Sequence, residues 1–189
     1  SISNALKTLN FEHVVSSHFS MLSNCEILIL PGVGAFNEAI NNLKKLRLFD
    51  RVKKHAEQNK PILGICLGMQ LLLTSSEENY YTEGLNIIPG KVVKMIQYKN
   101  FKLPHVGWNN IRINKKSEIF RNIKNNSNFY FDHSFETKLN KKYILSDASY
   151  NNRIATVIRK GNVFGTQFHP EKSQNYGLQI IYNFINQYA

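Results

Sequence analysis

One cysteine of the sequence lies in a setting that could present a nucleophile. The stretch "GICLG", residues 64–68, places Cys66 between two glycines, a pattern typical of a nucleophile elbow, in which a tight turn joins a strand to a helix. The N-terminus of a helix would favour the thiolate over the thiol, and the backbone N–H of Leu67 would point to where a tetrahedral oxyanion forms. A buried core cysteine is the alternative, and this motif alone does not decide between the two.

A histidine and a glutamate with the spacing of a catalytic pair occur a hundred residues later. In "GTQFHPEKS", residues 165–173, His169 and Glu171 lie two positions apart at the end of a predicted strand, so that both side chains project to the same side. The glutamate can hold one imidazole nitrogen while the other faces a nucleophile, as in a catalytic triad. A surface His-Pro-Glu turn is the alternative. The elbow and the His-x-Glu pair together are far more specific than either motif alone.

The elements that must position these residues alternate between strands and helices in the first half of the chain. The apolar patterns predict a helix over 1–10 capped by Ser3, a short strand near 13–16, buried strands over 26–30 and 61–65, and helices over 36–47, 49–58 and 66–78. Cys66 therefore follows the carboxyl end of a predicted strand. Functional residues of open α/β sheets usually lie at that end.

The second half of the chain has the alternating pattern of hairpin-linked strands. We predict strands over 91–96, 108–113, 128–135, 153–160 and 162–169, and a final helix over 173–188. Helix-linked strands followed by hairpin-linked strands indicate an α/β fold with one mixed sheet, parallel at its centre and covered by helices on both faces. We find neither an internal repeat nor a linker, so residues 1–189 are expected to form one domain.

Composition and charge limit the classes of function. The chain has 189 residues, of which 42% are hydrophobic, and no apolar run reaches the roughly 18 residues of a membrane span. Cys25 and Cys66 form neither a CxxC pair nor a metal-ligand spacing with histidine, which favours a reducing cytoplasm and no metal site. The net charge of +11 would suit a nucleic-acid binder. The lysines form scattered pairs without interleaved aromatics, so solvated faces, or docking onto an acidic protein surface, explain them better.

The motifs resemble a known family. "GICLGMQ" together with "FHPEKS" is similar to the triad-type, class I glutamine amidotransferases, and three more segments narrow the match. "LPGVGAF" at 30–36, "LPHVGWN" at 103–109 and "NFYFDHSF" at 128–135 resemble the glutaminase subunits of imidazole glycerol phosphate synthase, in matching order and spacing over essentially the whole chain. The resemblance implies a flavodoxin-like fold, L-glutamine as substrate, no cofactor, and a heterodimer with a (β/α)₈ barrel synthase subunit that receives the ammonia.

The resemblance also assigns roles to residues of this sequence. It implies that Cys66 is the nucleophile, His169 the general base and acid, and Glu171 the residue that orients His169. Backbone N–H groups of Val33, Gly34 and Leu67 would form the oxyanion hole. The implied substrate-binding residues are Gly34, Gln70, Glu78, His133, Ser134 and Phe135, and those at the partner interface are Trp108, Asn109 and Lys172.

Two departures from the family pattern leave alternatives open. The family begins with a strand and a glycine-containing turn, whereas this sequence starts inside the following turn or helix, so we expect the N-terminal strand to be missing from the sheet. Asp132 occupies a position that is commonly apolar in the family. A glutaminase of another amidation pathway, such as sugar amidation, is therefore an alternative. A cysteine peptidase of similar fold and a basic binding module are the others, and the "PGVG" and "GWN" motifs argue against the peptidase.

Overall fold

The computed structural model describes residues 1–22, 24–97 and 102–189, and side chains are described there except those of Phe19 and Leu22. The α-helices are α1 Ile2–Thr8, α2 Phe19–Leu22, α3 Phe36–Lys45, α4 Phe49–Glu57, α5 Leu67–Leu71 and α6 Gln174–Asn186. The strands are β1 Leu28–Leu30, β2 Ile62–Ile65, β3 Ser75–Ser76, β4 Thr82–Glu83, β5 Gly90–Lys94, β6 His105–Asn110, β7 Arg112–Ile113, β8 Asn128–His133, β9 Phe135–Leu139, β10 Ile144–Tyr150, β11 Asn152–Lys160 and β12 Val163–Thr166. Short 3₁₀ turns span Glu118–Phe120, Lys141–Tyr143 and Pro170–Lys172.

The main sheet has the mixed, partly parallel character that the sequence predicts. Its six strands follow the order β1-β2-β12-β11-β10-β7, with β1, β2 and β12 parallel and the others antiparallel. The single sheet that we expected is instead three. Strands β4, β3, β5 and β9 form a second sheet, and β6 and β8 form a two-stranded ribbon. The division occurs at Ser134, where the chain leaves its pairing with β6 and begins to pair with β5.

Two hydrophobic clusters cover the two faces of the main sheet. Successive side chains of a strand point to opposite faces, so Leu63 and Ile65 of β2 pack in the cluster that includes α1 and α6. Ile62 packs on the opposite side with residues of α3, α4 and α5. Every residue of β2 is consequently buried, as its continuous apolar run predicts.

The amino-terminal segment differs from our expectations. Ser3 lies inside α1 instead of capping it, and its hydroxyl contacts His13 Nε2 at 2.6 Å. The predicted strand near 13–16 is absent from the structure, in which Val14 and Val15 are 63% and 80% exposed. These valines face β1 across an open groove of about 1320 Å³, so neither side has a strand partner there. The same groove leaves β1 half-buried, not buried as we expected. It lies along the free edge of β1.

The segment after the elbow also differs from the prediction. Helix α5 ends at Leu71 because Ser75 and Ser76 pair with Lys91 and Val92 of β5, which draws the chain into a strand. We did not predict β9 or β10. The sequence "ILSDASY" of β10 has a weak strand pattern. Its hydrogen bonds to β11 on one side and β7 on the other stabilise the strand despite this weak local preference. Within the described parts of the chain, no helix is long and apolar enough to cross a membrane.

Candidate active site

Cys66 occupies a strained turn between β2 and α5. Its backbone has φ +53° and ψ −109°, a conformation that non-glycine residues rarely adopt and that costs of order 1–3 kcal/mol. The flanking glycines are needed for a different reason, the close approach of backbone to backbone. A Cβ on Gly64 would lie 2.7 Å from the Gly68 carbonyl oxygen, and one on Gly68 would overlap the carbonyl oxygen of Leu30. The predicted elbow geometry is therefore present, with the strain at the cysteine itself.

His169 and Glu171 form the pair that the sequence predicts. His169 Nδ1 lies 3.0 Å from Glu171 Oε1, and both side chains are buried. Nδ1 therefore donates to the carboxylate, which leaves Nε2 for the hydrogen bond with Cys66. Burial by itself lowers the pKa of His169, but the hydrogen bonds and charges of Cys66 and Glu171 outweigh it and raise the pKa to about 9. His169 is therefore held as an imidazolium at neutral pH.

The carboxylate of Glu171 is suited to hold that imidazolium. Burial raises the pKa of Glu171, but the hydrogen bond from His169, a backbone N–H and the charges of His169 and Lys172 together outweigh it, so the pKa falls below its ordinary value. Glu171 Oε2 is buried and has no hydrogen-bond partner among the described residues. One oxygen of the carboxylate thus carries the whole interaction with His169.

A glutamine that the sequence analysis missed contacts the sulfur. Gln167 Nε2 lies 3.8 Å from Cys66 Sγ, and Gln167 is buried. The main-chain oxygen of Asp132 is also 3.8 Å from the sulfur. An N–H aimed at the sulfur stabilises its anionic form. The position of Gln167, two residues before His169 in "GTQFHPE", was the only available signal.

The backbone of His169 is fixed by two further residues that were not predicted. The N–H of His169 donates to the carbonyl of Tyr130 at 2.9 Å. The hydroxyl of Ser173 donates to the carbonyl of His169 at 2.6 Å and accepts the N–H of Tyr130 at 2.9 Å. Strand β8 and the turn that carries the histidine are thereby joined.

The glycine loop that was predicted to supply oxyanion donors lies against the elbow. A Cβ on Gly32 would be 3.0 Å from Leu67 Cβ, so the loop contacts the start of α5. Leu67 is the first residue of α5, and its N–H has no partner within the helix. Gly34 has φ +97° and Val33 is 83% exposed. Gly32 thus lies against Leu67, and Val33 and Gly34 follow it in an open part of the loop.

The predicted glutamine-binding side chains Gln70 and Glu78 are both engaged by the protein. Gln70 lies one helical turn after Cys66 and donates to the Phe135 carbonyl at 3.3 Å and to Gln167 Oε1 at 3.2 Å. Glu78 follows β3, whereas we predicted a helix that extends to residue 78, and it accepts the N–H of Phe36 at 2.9 Å. It therefore caps α3 directly behind the glycine loop.

The segment 133–135 crosses from the ribbon to the second sheet. His133 Nδ1 donates to the carbonyl of Phe135 at 2.8 Å, which closes a tight turn around Ser134. The carbonyl of Ser134 accepts the N–H of Met95 at 3.0 Å. The backbone at Ser134 and Phe135 is therefore held close to Gln70.

Two of the three residues predicted to meet a partner, Trp108 and Lys172, lie against Tyr130 on the outer face of the β6–β8 ribbon. Trp108 is 49% exposed, and its ring meets that of Tyr130 edge-on with centroids 6.0 Å apart. Lys172 Nζ lies 5.6 Å from the Tyr130 ring centroid. Asp132 is exposed and pairs across the ribbon with Val106. Asn109, the third predicted residue, turns toward β10, where it donates to the Ser149 carbonyl at 3.1 Å.

A search of residues 1–22, 24–97 and 102–189 finds no cluster of three or more His, Cys, Asp or Glu side chains that could hold a metal ion.

Comparison with known proteins agrees with this geometry. The family model for glutamine amidotransferase class-I matches residues 2–188. The chain belongs to the class-I glutamine amidotransferase family. This amidotransferase is 42% identical to imidazole glycerol phosphate synthase subunit HisH 1 of Campylobacter jejuni strain RM1221, over 98% of this chain and 92% of that protein. It is 45% identical to subunit HisH of Caldanaerobacter subterraneus subsp. tengcongensis, over 97% and 90%.

Solved structures agree with the amidotransferase fold. A crystal structure of a glutamine amidotransferase superimposes with a TM-score of 0.74 at 17% identity, covering 97% of this chain and 89% of that one. A glutamine amidotransferase from Thermotoga maritima superimposes with a TM-score of 0.65 at 17% identity, covering 98% and 76%. At that identity these two structures show the fold alone.

Proposed function

We propose that this amidotransferase is the glutaminase subunit of an imidazole glycerol phosphate synthase and releases ammonia from L-glutamine for histidine biosynthesis. The observation that carries the proposal is the similarity of 42–45% identity, over nearly the full length of both chains, to proteins named as that subunit. The grouping of Cys66, His169 and Glu171 supports the chemistry.

Cys66 acts as the nucleophile in the first half of the reaction. Its thiolate attacks the carbonyl carbon of the glutamine side chain, and the carbonyl electron pair moves onto oxygen. The N–H of Leu67 and the backbone of the Val33–Gly34 loop stabilise the oxyanion. As the C–N bond breaks, the imidazolium of His169 donates a proton to the leaving nitrogen. Ammonia departs and a γ-glutamyl thioester remains on Cys66.

His169 acts as the base in the second half. The neutral imidazole takes a proton from water as the water oxygen attacks the thioester carbonyl. The tetrahedral intermediate collapses, the C–S bond breaks, and glutamate leaves with the thiolate and imidazolium restored. Glu171 holds Nδ1 throughout, so that Nε2 always faces the reacting atoms.

The ammonia acceptor belongs to a separate subunit in this proposal. A barrel-shaped synthase subunit would dock on the outer face of the ribbon, where Trp108, Tyr130 and Lys172 lie together. Tyr130 also bonds to the backbone of His169, so the docking face is one residue from the catalytic histidine. The reducing cytoplasm is the compartment that suits a mechanism based on a free thiol.

Complementation of a histidine auxotroph that lacks this subunit tests the proposal. The full-length protein is co-expressed with its own synthase partner, and we expect growth without histidine that is lost in Cys66→Ala. The purified Cys66→Ala complex should still make product from added ammonium salts, because the thiol is needed only to release ammonia. Glutaminase activity without complementation would indicate another acceptor, such as a sugar. Cleavage of peptides but not of glutamine would indicate a cysteine peptidase.

A further inference from the structure

Two buried histidines that transfer no proton in the proposed reaction face each other across the ribbon. His105 of β6 pairs with His133 of β8, and His105 Nδ1 lies 3.0 Å from His133 Nε2. The His105 ring is stacked between Phe131 and Tyr150, with centroids 4.7 and 3.9 Å away. The plane of the His105 imidazole is therefore fixed by its neighbours.

The outer end of this pair meets an amide whose orientation the backbone determines. The side-chain oxygen of Asn109 accepts the N–H of Asn110 at 2.8 Å, so the opposite atom must be the nitrogen. That nitrogen donates to the carbonyl of Ser149 at 3.1 Å and lies 3.3 Å from His105 Nε2. His105 Nε2 consequently faces an N–H and must accept.

The tautomer of His133, at the inner end of the pair, follows from its hydrogen-bond partner in the same way. His133 Nδ1 lies 2.8 Å from the carbonyl of Phe135, which can only accept, so Nδ1 carries the proton. Burial is the main cause that lowers the pKa of His105 to about 3, with His133 adding to it. Burial also lowers the pKa of His133 to about 4, helped by His169 and opposed by the Phe135 carbonyl and Asp132. Both rings are therefore neutral, with the proton on Nδ1 and an acceptor at Nε2.

The hydrogen bonds thus run in one direction from Asn109 to the Phe135 carbonyl, which accepts at the end of that series. Asn109 donates to His105, His105 donates to His133, and His133 donates to the Phe135 carbonyl. That carbonyl also accepts from Gln70, which donates in addition to Gln167 Oε1. Gln167 Nε2 in turn reaches Cys66 Sγ. One continuous set of contacts connects the ribbon to the sulfur.

We propose that His105 and His133 are positioning residues, which relay the orientation of Asn109 to the Phe135 carbonyl and thereby to the Gln70 and Gln167 amides at Cys66. The Nδ1–H tautomers are a property of the fold, whereas the effect on turnover rests on the proposed glutaminase function. Replacing the Asn109 donor by an acceptor of nearly equal volume should therefore disturb the contacts of the Cys66 sulfur.

Nitrogen NMR of the wild-type histidine rings tests the tautomers directly. Long-range ¹H–¹⁵N spectra, assigned through correlations to the backbone, should show His105 and His133 as neutral Nδ1–H tautomers from pH 5 to 9. The Nε2–H form is the commoner one in water, so this result is specific. An Nε2–H tautomer at either residue, or protonation near the ordinary pKa of 6.5, would overturn the relay.

Asn109→Asp tests the effect on catalysis. The carboxylate cannot donate to His105 Nε2, so His105 must either move its proton to Nε2 or take up a second proton. The first change reverses the hydrogen bond to His133, and the second gives His105 a positive charge. We expect a loss of about tenfold in glutaminase kcat at saturating partner, a small change in KM for glutamine, and altered ring nitrogen shifts at His133. Asn110→Asp is the matched control, because it adds the same charge to the exposed neighbouring residue and leaves the N–H to Asn109 in place.

The outcomes separate this inference from the proposed function. Equal kcat in the two aspartate variants, or unchanged His133 shifts in Asn109→Asp, would contradict the relay. Partner affinity, measured for both variants, shows that saturation has been reached. If wild-type protein releases no glutamate in a Cys66-dependent way, the proposed function is wrong, and the NMR result still decides the tautomers. His105→Asn, which keeps a donor near the Nδ1 position, should retain more activity than His105→Phe.

Discussion

The main-chain N–H of His169 donates to the carbonyl of Tyr130 at 2.9 Å, and this bond joins the proposed catalytic histidine to the exposed ribbon. The Tyr130 ring lies beside Trp108 and Lys172, while its backbone holds the turn that carries His169. A partner that contacts the ring is therefore linked to His169 through the Tyr130 backbone and one hydrogen bond. Ser173 completes the link, since its buried hydroxyl bonds to the backbone of both residues.

Ser173→Ala should weaken both stability and turnover. Removal of the hydroxyl leaves the His169 carbonyl and the Tyr130 N–H without this partner in a buried site, at a cost of about 1–3 kcal/mol. Urea unfolding should show the lost stability, and glutaminase kcat should fall because His169 is less well held. Ser173→Thr keeps the hydroxyl and should retain more activity than the alanine variant. Full kcat in Ser173→Ala would show that the bridge does not position the histidine.

Cys66→Gly should be more stable than Cys66→Ala, although both are inactive. Glycine adopts the positive φ of this turn without strain, whereas alanine keeps the Cβ that causes it. We expect a difference of about 1 kcal/mol or more in the free energy of unfolding, since strain at such positions is of order 1–3 kcal/mol. Denaturant titration of the two variants measures it. Alanine equal to or more stable than glycine would mean that the elbow relaxes in solution.

Glu171→Gln should shift the alkaline limb of the pH–activity profile to lower pH. The wild-type carboxylate helps to raise the pKa of His169 to about 9, so the imidazolium that protonates the leaving nitrogen persists to that pH. Without the negative charge, the His169 pKa should fall by about one unit or more. The same raised pKa gives a contribution to stability that is complete below pH 6.5 and lost as the pH rises through about 9. Profiles of kcat at saturating glutamine, from pH 6 to 10, measure the shift.

An unmoved alkaline limb in Glu171→Gln, with kcat intact, would remove Glu171 from the triad. Glu77→Gln is a control for the loss of one negative charge, because Glu77 forms only an exposed pair with Lys91. Its profile should match that of the wild type.

Gly34→Ala should reduce turnover more than it reduces stability. A Cβ added at Gly34 would have no atom within 4 Å, so it causes no clash. Any effect of the alanine therefore comes from the backbone, whose φ of +97° disfavours a residue with a side chain. If the loop supplies an oxyanion donor, kcat should fall about a hundredfold while KM changes little. Gly161→Ala is the control, since Gly161 has φ +59° with equally open space and is distant in sequence from the elbow. Equal kcat in the two variants would contradict the role of the loop.

Partner binding should raise the glutaminase rate if the glycine loop completes the oxyanion hole only in the complex. Gly34 has open space around it and Val33 is exposed, so the loop is free to change its backbone conformation. We expect activation of at least about a hundredfold with partner and acceptor ligand, the size expected for one oxyanion donor. Glutamate release by the free subunit and by the complex measures it. A free subunit already at full rate would exclude this switch.

The sequence by itself determined the elements that depend on neighbours along the chain. The buried run of β2 and the glycines around Cys66 are local, so their structures follow from residue type. The contact of His169 with Glu171 forms as expected but not from an extended chain, because β12 ends at Thr166 and Glu171 lies in a 3₁₀ turn. The helices α3, α4 and α6 follow likewise from their periodic apolar residues. The same local argument overextended α5, because it could not anticipate the pairing of Ser75 and Ser76 with β5.

Only the tertiary structure decided which distant residues meet. The contact between Gln167 and Cys66 joins residues 101 positions apart, and the one between His105 and His133 spans 28. Such contacts depend on the register of β6 with β8 and of β2 with β12, in which a slip of one residue turns every side chain to the opposite face. That register is fixed by the packing of the whole sheet, and no short stretch of sequence contains it.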